Sequence, residues 1–187
     1  LKVIPIALLI YFSINSNYQH KLWLIGALAF SAIGDIFLAL SMKTFFVHGL
    51  AAFFIAHIFY CYLYMQRGIN KHWRKASLTW LVAGTSLLFS LLILPASSNL
   101  WPVLLAYIVM ISIMAIMAAN LTMPNVFILL GALSFLTSDS IIAFDKFILE
   151  VPLANLVIML TYYGAQGLIV YGLLQDSQEK LSTSVKV

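Results

Sequence analysis

Read from its first residue, the chain alternates long apolar runs with short polar breaks. Seven runs stand out, and each predicts a membrane-spanning helix: residues 3–14, 22–40, 45–65, 78–94, 103–120, 126–144 and 153–174. The first is short and contains Pro5. Most of the others approach the ~20 residues a helix needs to cross a ~30 Å hydrocarbon core. The runs are unbroken rather than alternating in polarity, which argues against a membrane β-barrel. Lipid offers the backbone no hydrogen bonds, so the segments must satisfy their own, as helices do. The breaks at 15–21, 67–76, 96–99 and 121–125 leave no room for an extramembrane domain. The expected fold is therefore all-α, a polytopic transmembrane helical bundle with seven spans forming one domain over residues 1–175. Residues 176–187 form a polar tail without an apolar pattern, which predicts disorder.

Composition agrees with this pattern. The chain is 63% hydrophobic and only 9% charged, against about 25% charged in soluble domains. A water-soluble fold of this size buries too small a share of its surface to hide so many apolar side chains. The net charge of +4 is not gathered into a nucleic-acid patch; basic residues stand singly or cluster in the 67–75 loop, where they act as a topology signal. Lys2, Lys43 and Lys146 fall on one side of the membrane, side A. Lys21, Arg67, Lys71, Arg74, Lys75, Lys180 and Lys186 fall on the other, side B. The positive-inside tendency puts side B, and with it the C-terminus, in the cytoplasm. Cys61 is the only cysteine, so no internal disulfide forms. The chain starts at Leu1 rather than Met, which predicts that it begins inside a longer one.

Against this background the ionisable residues within spans are the informative ones. An Asp at the centre of a membrane helix costs ~2.5–3.5 kcal/mol on insertion scales, so its presence asks for a reason. Asp35, His57 and Asp139 are the candidates, with Tyr60, Tyr64, Ser134, Ser138, Tyr162, Tyr163 and Gln166 as polar company. Asp35 and Asp139 each lie about five residues from the side A end of their spans, roughly 8 Å deep. At matching depth they can face one cavity opening on side A. His57, Tyr60 and Tyr64 follow at i, i+3 and i+7 and form one stripe; Tyr162 and Gln166 are an i, i+4 pair. Gly131, Ser134 and Ser138 make a small-residue stripe suited to close helix contact. Taken singly, either Asp also fits a structural anchor between helices, His57 a ring bonded to a backbone carbonyl, and the tyrosines ordinary packing. Lys2 and Lys43 at the side A mouth, with Lys146, fit either a lipid-phosphate site or ordinary interface lysines.

The chemistry narrows by elimination. The chain has no G-x-S-x-G elbow, no P-loop and no H-E-x-x-H. His48 and His57 are nine residues apart, half a turn out of phase on a helix, so no metal site is expected. Paired carboxylates remain. In low dielectric two neighbouring carboxyls cannot both ionise cheaply, so one keeps a proton and acts as an acid while the other stabilises positive charge. That division of labour suits an oxocarbenium-like state, as in glycoside hydrolysis or hydrolysis of an enol ether. The same acids also fit a proton-coupled transporter of lipids or small molecules, though no internal repeat is apparent. A receptor or scaffold without chemistry is the third reading.

Several pieces of the chain together resemble the YhhN-like integral membrane proteins, the lysoplasmalogenase family. They are Leu1-Lys2 with Pro5, Ile33-Gly34-Asp35, and Gly49-Leu50-Ala51-Ala52-Phe53 followed by His57 and Tyr60. Gly131-Ala132 with Phe135, Ser138-Asp139, Lys146-Phe147, and Tyr162-Tyr163 with Gln166 complete the set. The resemblance implies eight helices in the full-length protein and a multi-pass location, in the inner membrane of a bacterium or the endoplasmic reticulum of a eukaryote. It implies hydrolysis of the vinyl-ether bond of lysoplasmalogens to a fatty aldehyde and glycerophosphocholine or glycerophosphoethanolamine, without a dissociable cofactor. Asp35 and Asp139 would be the acid/base pair. His57, Tyr60, Tyr162, Tyr163, Gln166 and Ser138, with Lys2 and Lys43 at the mouth, would bind the lysophospholipid.

Overall fold

The computed structural model describes residues 3–40, 43–70 and 76–184, and side chains within them except those of residues 43, 44, 76 and 176–184. Seven α-helices follow one another: α1 Ile4–Ile14, α2 Lys21–Ala39, α3 Lys43–Gln66, α4 Ala76–Ala96, α5 Trp101–Ala119, α6 Val126–Phe147 and α7 Ala154–Ser184. No strand is present among the described residues. Six of the helices are long and apolar enough to cross a membrane, and α1 is a shorter apolar helix. Its 11 residues rise about 16 Å, roughly half of a hydrocarbon core. The fold is a polytopic helical bundle, and the protein is a multi-pass membrane protein.

Local chemistry sets the boundaries. Pro5 and Pro102 sit in the first turns of α1 and α5, where a missing N–H costs nothing. Asn125 caps α6, its Oδ1 accepting from the backbone N–H groups of Phe127 at 3.0 Å and Ile128 at 3.1 Å, which satisfies donors the helix itself cannot. Pro95 lies in the last turn of α4 and a turn of 3-10 helix at Ser98–Leu100 leads into α5.

Two differences from the sequence expectations are informative. Helix α7 continues to Ser184, through the polar stretch that predicts disorder after Gln175. Residues 176–184 contain neither Gly nor Pro, and nothing in them stops a helix already nucleated by 22 apolar-rich residues. Helix α6 reaches Phe147, three residues past its expected end. Asp139 therefore lies about 12 Å from the side A end of its helix and Asp35 about 6 Å from the end of α2.

Packing is dominated by two helix pairs, α2 with α3 and α6 with α7. Small residues bring the second pair together. Gly131 of α6 lies against the backbone of Ala165 and Ile169, and Gly172 of α7 lies against Ile128, the close approach that small residues allow in membranes. On side B the loops are tied as well. Asn70 N donates to Asn120 O at 2.8 Å, Thr122 N donates to Gly68 O at 2.9 Å, and Ile69 pairs with Leu121 between them. Beside this tie, in the α1–α2 connection, burial pushes the Tyr18 phenol up to about 12, against the opposing pull of the Arg67 charge. Burial in turn lowers the Arg67 guanidinium from its ordinary value.

Candidate active site

A cavity of about 170 Å³ opens where α3, α4, α5 and α6 diverge. Its walls are largely apolar: Phe46, Leu50 and Phe53 of α3, Phe89 of α4, Leu104, Ile108 and Ile111 of α5, and Leu136, Ile142 and Ala143 of α6, with Leu38 of α2. The polar wall residues are Thr85, Ser86, Tyr107, Asp139 and Ser140. Thr85 Oγ1 donates to Leu81 O and Ser140 Oγ to Leu136 O, both at 2.8 Å, so these hydroxyls are engaged within their own helices. Ser86 Oγ accepts from Ser112 Oγ at 2.8 Å across the α4–α5 contact. Among the described residues Asp139 is the only carboxyl on the wall, and the Tyr107 hydroxyl donates a hydrogen bond to its Oδ2.

The second carboxyl, Asp35, does not form part of the wall, yet the two acids lie close enough for their charges to interact. Asp35 also acts electrostatically on Tyr162 and Tyr163 of α7. Phe53 occupies the ground between: its ring fills the space above Gly34, and it lines the cavity. That ring belongs to an aromatic cluster. Phe53 meets Phe135 at 6.3 Å and Tyr162 at 5.7 Å between centroids, and Phe135 meets Tyr162 at 5.4 Å. The cluster continues to His57, whose fully buried ring meets the edges of Phe135 at 4.7 Å and Tyr107 at 5.5 Å.

The remaining sequence candidates sort into separate places. Tyr60 donates to Gln166 Oε1, and Gln166 Nε2 donates to Ser31 Oγ at 3.0 Å, a fully buried network joining α3, α7 and α2. Ser138 Oγ reaches Ile158 O at 3.4 Å and Ser134 Oγ reaches Thr161 O at 2.8 Å, both stitching α6 to α7. None of Tyr60, His57, Tyr162, Tyr163, Gln166 or Ser138 forms part of the cavity wall. Lys2 lies outside the described residues, as does the side chain of Lys43. Lys146 is exposed, with Nζ 4.3 Å above the centre of the Phe46 ring, a wall residue. Among the described residues no group of three His, Cys, Asp or Glu is arranged to hold a metal ion.

The family model described as the YhhN family matches residues 1–173. The chain belongs to the YhhN family. Among relatives, it is 32% identical over 159 residues to "Lysoplasmalogenase TMEM86B" of Rattus norvegicus, covering 82% of this chain and 63% of that protein. It is 32% identical over 161 residues to "Lysoplasmalogenase" of Mycobacterium bovis, covering 82% and 61%. It is 30% identical over 190 residues to "Lysoplasmalogenase TMEM86B" of Sus scrofa, covering 96% and 76%. The chain thus spans less than two thirds of the rat and mycobacterial relatives it matches. No solved structure matches it.

In this YhhN-family chain, sequence reasoning missed Tyr107. It lies in a run otherwise so apolar that α5 offered no candidate, and one tyrosine among Leu, Ile and Met passes for packing. The available signal was depth: Tyr107 is six residues into α5 from side A, roughly 9 Å, near the level expected of both acids.

Proposed function

We propose that this YhhN-family protein hydrolyses the vinyl-ether bond of lysoplasmalogens, releasing a fatty aldehyde and a glycerophospho-base, choline or ethanolamine. The reading rests on one observation: a carboxyl, Asp139, on the wall of a largely apolar cavity, within charge range of a second, Asp35. The lysoplasmalogenase names of its relatives support the same reading.

The chemistry follows from the two acids. The protonated carboxyl gives its proton to the outer alkene carbon, leaving an oxocarbenium ion between the inner carbon and the ether oxygen. The other carboxylate stabilises that charge, as in glycoside hydrolysis. Water adds to the inner carbon and loses a proton to a carboxylate. The resulting hemiacetal collapses to aldehyde and alcohol, and the acid is restored. The hydrocarbon tail would lie along the Phe46, Leu50, Phe89 and Leu104 side of the cavity. The phosphate would sit near the lysines of side A, with Lys146 over Phe46. The orientation belongs to the proposal too: side B and the C-terminus face the cytoplasm, in a bacterial inner membrane or the endoplasmic reticulum.

The test is a comparison of three lysolipids. Purified protein is incubated with vinyl-ether, alkyl-ether and ester forms in D₂O, and the products are identified by mass spectrometry. Only the vinyl ether should react, giving an aldehyde with one deuterium on the carbon next to the carbonyl. Equal cleavage of the ester, or proton-coupled lipid flux in vesicles without any cleavage, overturns the reading.

A further inference from the structure

We propose that Asp139 is the acid of the pair, that Asp35 serves as the anion, and that Tyr107 fixes which oxygen of Asp139 gives up its proton; the assignment rests on the hydrolase reading above. Protonation of carbon requires the acid's oxygen and the alkene carbon to meet at about 3–3.5 Å. Asp139 borders the cavity and Asp35 does not. Phe53, packed over Gly34 and lining the same cavity, stands on the Asp35 side of it. A substrate in the cavity therefore touches Asp139 and feels Asp35 only through its charge.

Tyr107 settles which oxygen acts. Its hydroxyl donates to Asp139 Oδ2, so in the protonated acid Oδ2 is the carbonyl oxygen and the proton sits on Oδ1, free to be given away. As that proton departs, the carboxyl becomes a carboxylate. A hydrogen bond to an ionised acceptor is roughly twice as strong as one between neutral groups. The Tyr107 bond therefore strengthens along the reaction, and interactions stronger in the transition state than in the ground state are those that raise rate. The ring is held for this role: Tyr107 is buried, with its face or edge against His57 at 5.5 Å. Tyr107 is thus a positioning residue that acts through Asp139.

The test is Tyr107→Phe, which keeps the ring and its contact with His57 and removes only the hydroxyl. It should lower kcat for vinyl-ether lysolipid about 10–100-fold with KM nearly unchanged, and increase the solvent deuterium isotope effect on kcat as proton transfer becomes slower. In the companion pair, Asp139→Asn should be at least ten-fold more damaging to kcat than Asp35→Asn. Should Tyr107→Phe fail to fold, replacing Tyr107 with 3,5-difluorotyrosine changes the acidity of the hydroxyl at nearly constant volume and should still alter kcat several-fold. An active wild type with wild-type kcat in the Tyr107 variants, or with Asp35→Asn the more damaging change, overturns this assignment and leaves the hydrolase reading standing. A wild type that releases no aldehyde removes both.

Discussion

Gly131 of α6 presents its bare α-carbon to Ala165 of α7: a Cβ at position 131 would lie 2.9 Å from the Ala165 carbonyl oxygen and 3.0 Å from the Ile169 amide nitrogen. Backbone atoms cannot step aside as a side-chain tip can. Gly131→Ala should therefore force α6 and α7 apart and cost about 1–3 kcal/mol. Gly167 of α7 has nothing within 4 Å of such a Cβ, so Gly167→Ala should be neutral or stabilising by about 0.5–1 kcal/mol. Denaturation of both variants in detergent checks the contrast.

The Tyr60–Gln166–Ser31 network yields a second stability prediction. Gln166→Leu removes the acceptor of Tyr60 and the donor to Ser31 at a site with no exposure to solvent. Stranding buried hydroxyls costs about 1–3 kcal/mol. A lower thermal midpoint is expected, and an unchanged one would show that the network carries no weight.

Asp139→Asn should lower aldehyde release from lysoplasmalogen by about 10²–10⁴-fold, the usual yield of general acid catalysis, while leaving the circular dichroism spectrum helical. Retained turnover would remove the carboxylate mechanism.

The cavity predicts a specificity change. Ala143 is a small residue on the same wall as Phe46 and Leu104, and Ala143→Phe would fill part of the 170 Å³. A loss of about ten-fold in kcat/KM for long-chain substrates is expected, with short chains affected less, since pocket discrimination runs at 1–3 kcal/mol per methylene. Assays across a chain-length series read this out.

Alkaline pH should expose Tyr18. Its phenol is pushed up to about 12 by burial, above the ~10 of an unfolded chain. The folded form thus favours the neutral phenol. Its stabilisation is complete below pH 10, and falls by about 1.4 kcal/mol per pH unit until the folded group ionises near 12. Tyr18→Phe should lose this dependence, so the stability of the wild type relative to the variant should fall by about 2–3 kcal/mol between pH 10 and 12.

Much of the architecture was legible because lipid leaves the chain few choices. The run at 45–65 became α3, Lys43–Gln66, and the His57, Tyr60, Tyr64 stripe is wholly buried, as its spacing implied. Gly131, Ser134 and Ser138 do face α7. Which polar groups meet a common cavity was less legible. Helical periodicity fixes a residue's face on its own helix but not the rotation of that helix against its neighbours. So Tyr60 and Gln166, read as pocket groups, bond each other away from the cavity wall, whereas Tyr107 turns out to hold Asp139. The end of α7 escaped the reading for a different reason: polarity marks where a chain leaves the bilayer, not where its helix stops.

The backbone tie between the loops at 68–70 and 120–122 has a mechanical consequence. It fastens the α2–α3 pair to the α5–α6 corner on side B, with no equivalent backbone lacing on side A among the described residues. Any spreading of α3 from α6 would then pivot about side B, like a clothes peg about its spring. The jaws would part at the opposite leaflet, towards Phe46 and Ala143, so a molecule already dissolved in that leaflet would meet the gap sideways without first passing through water.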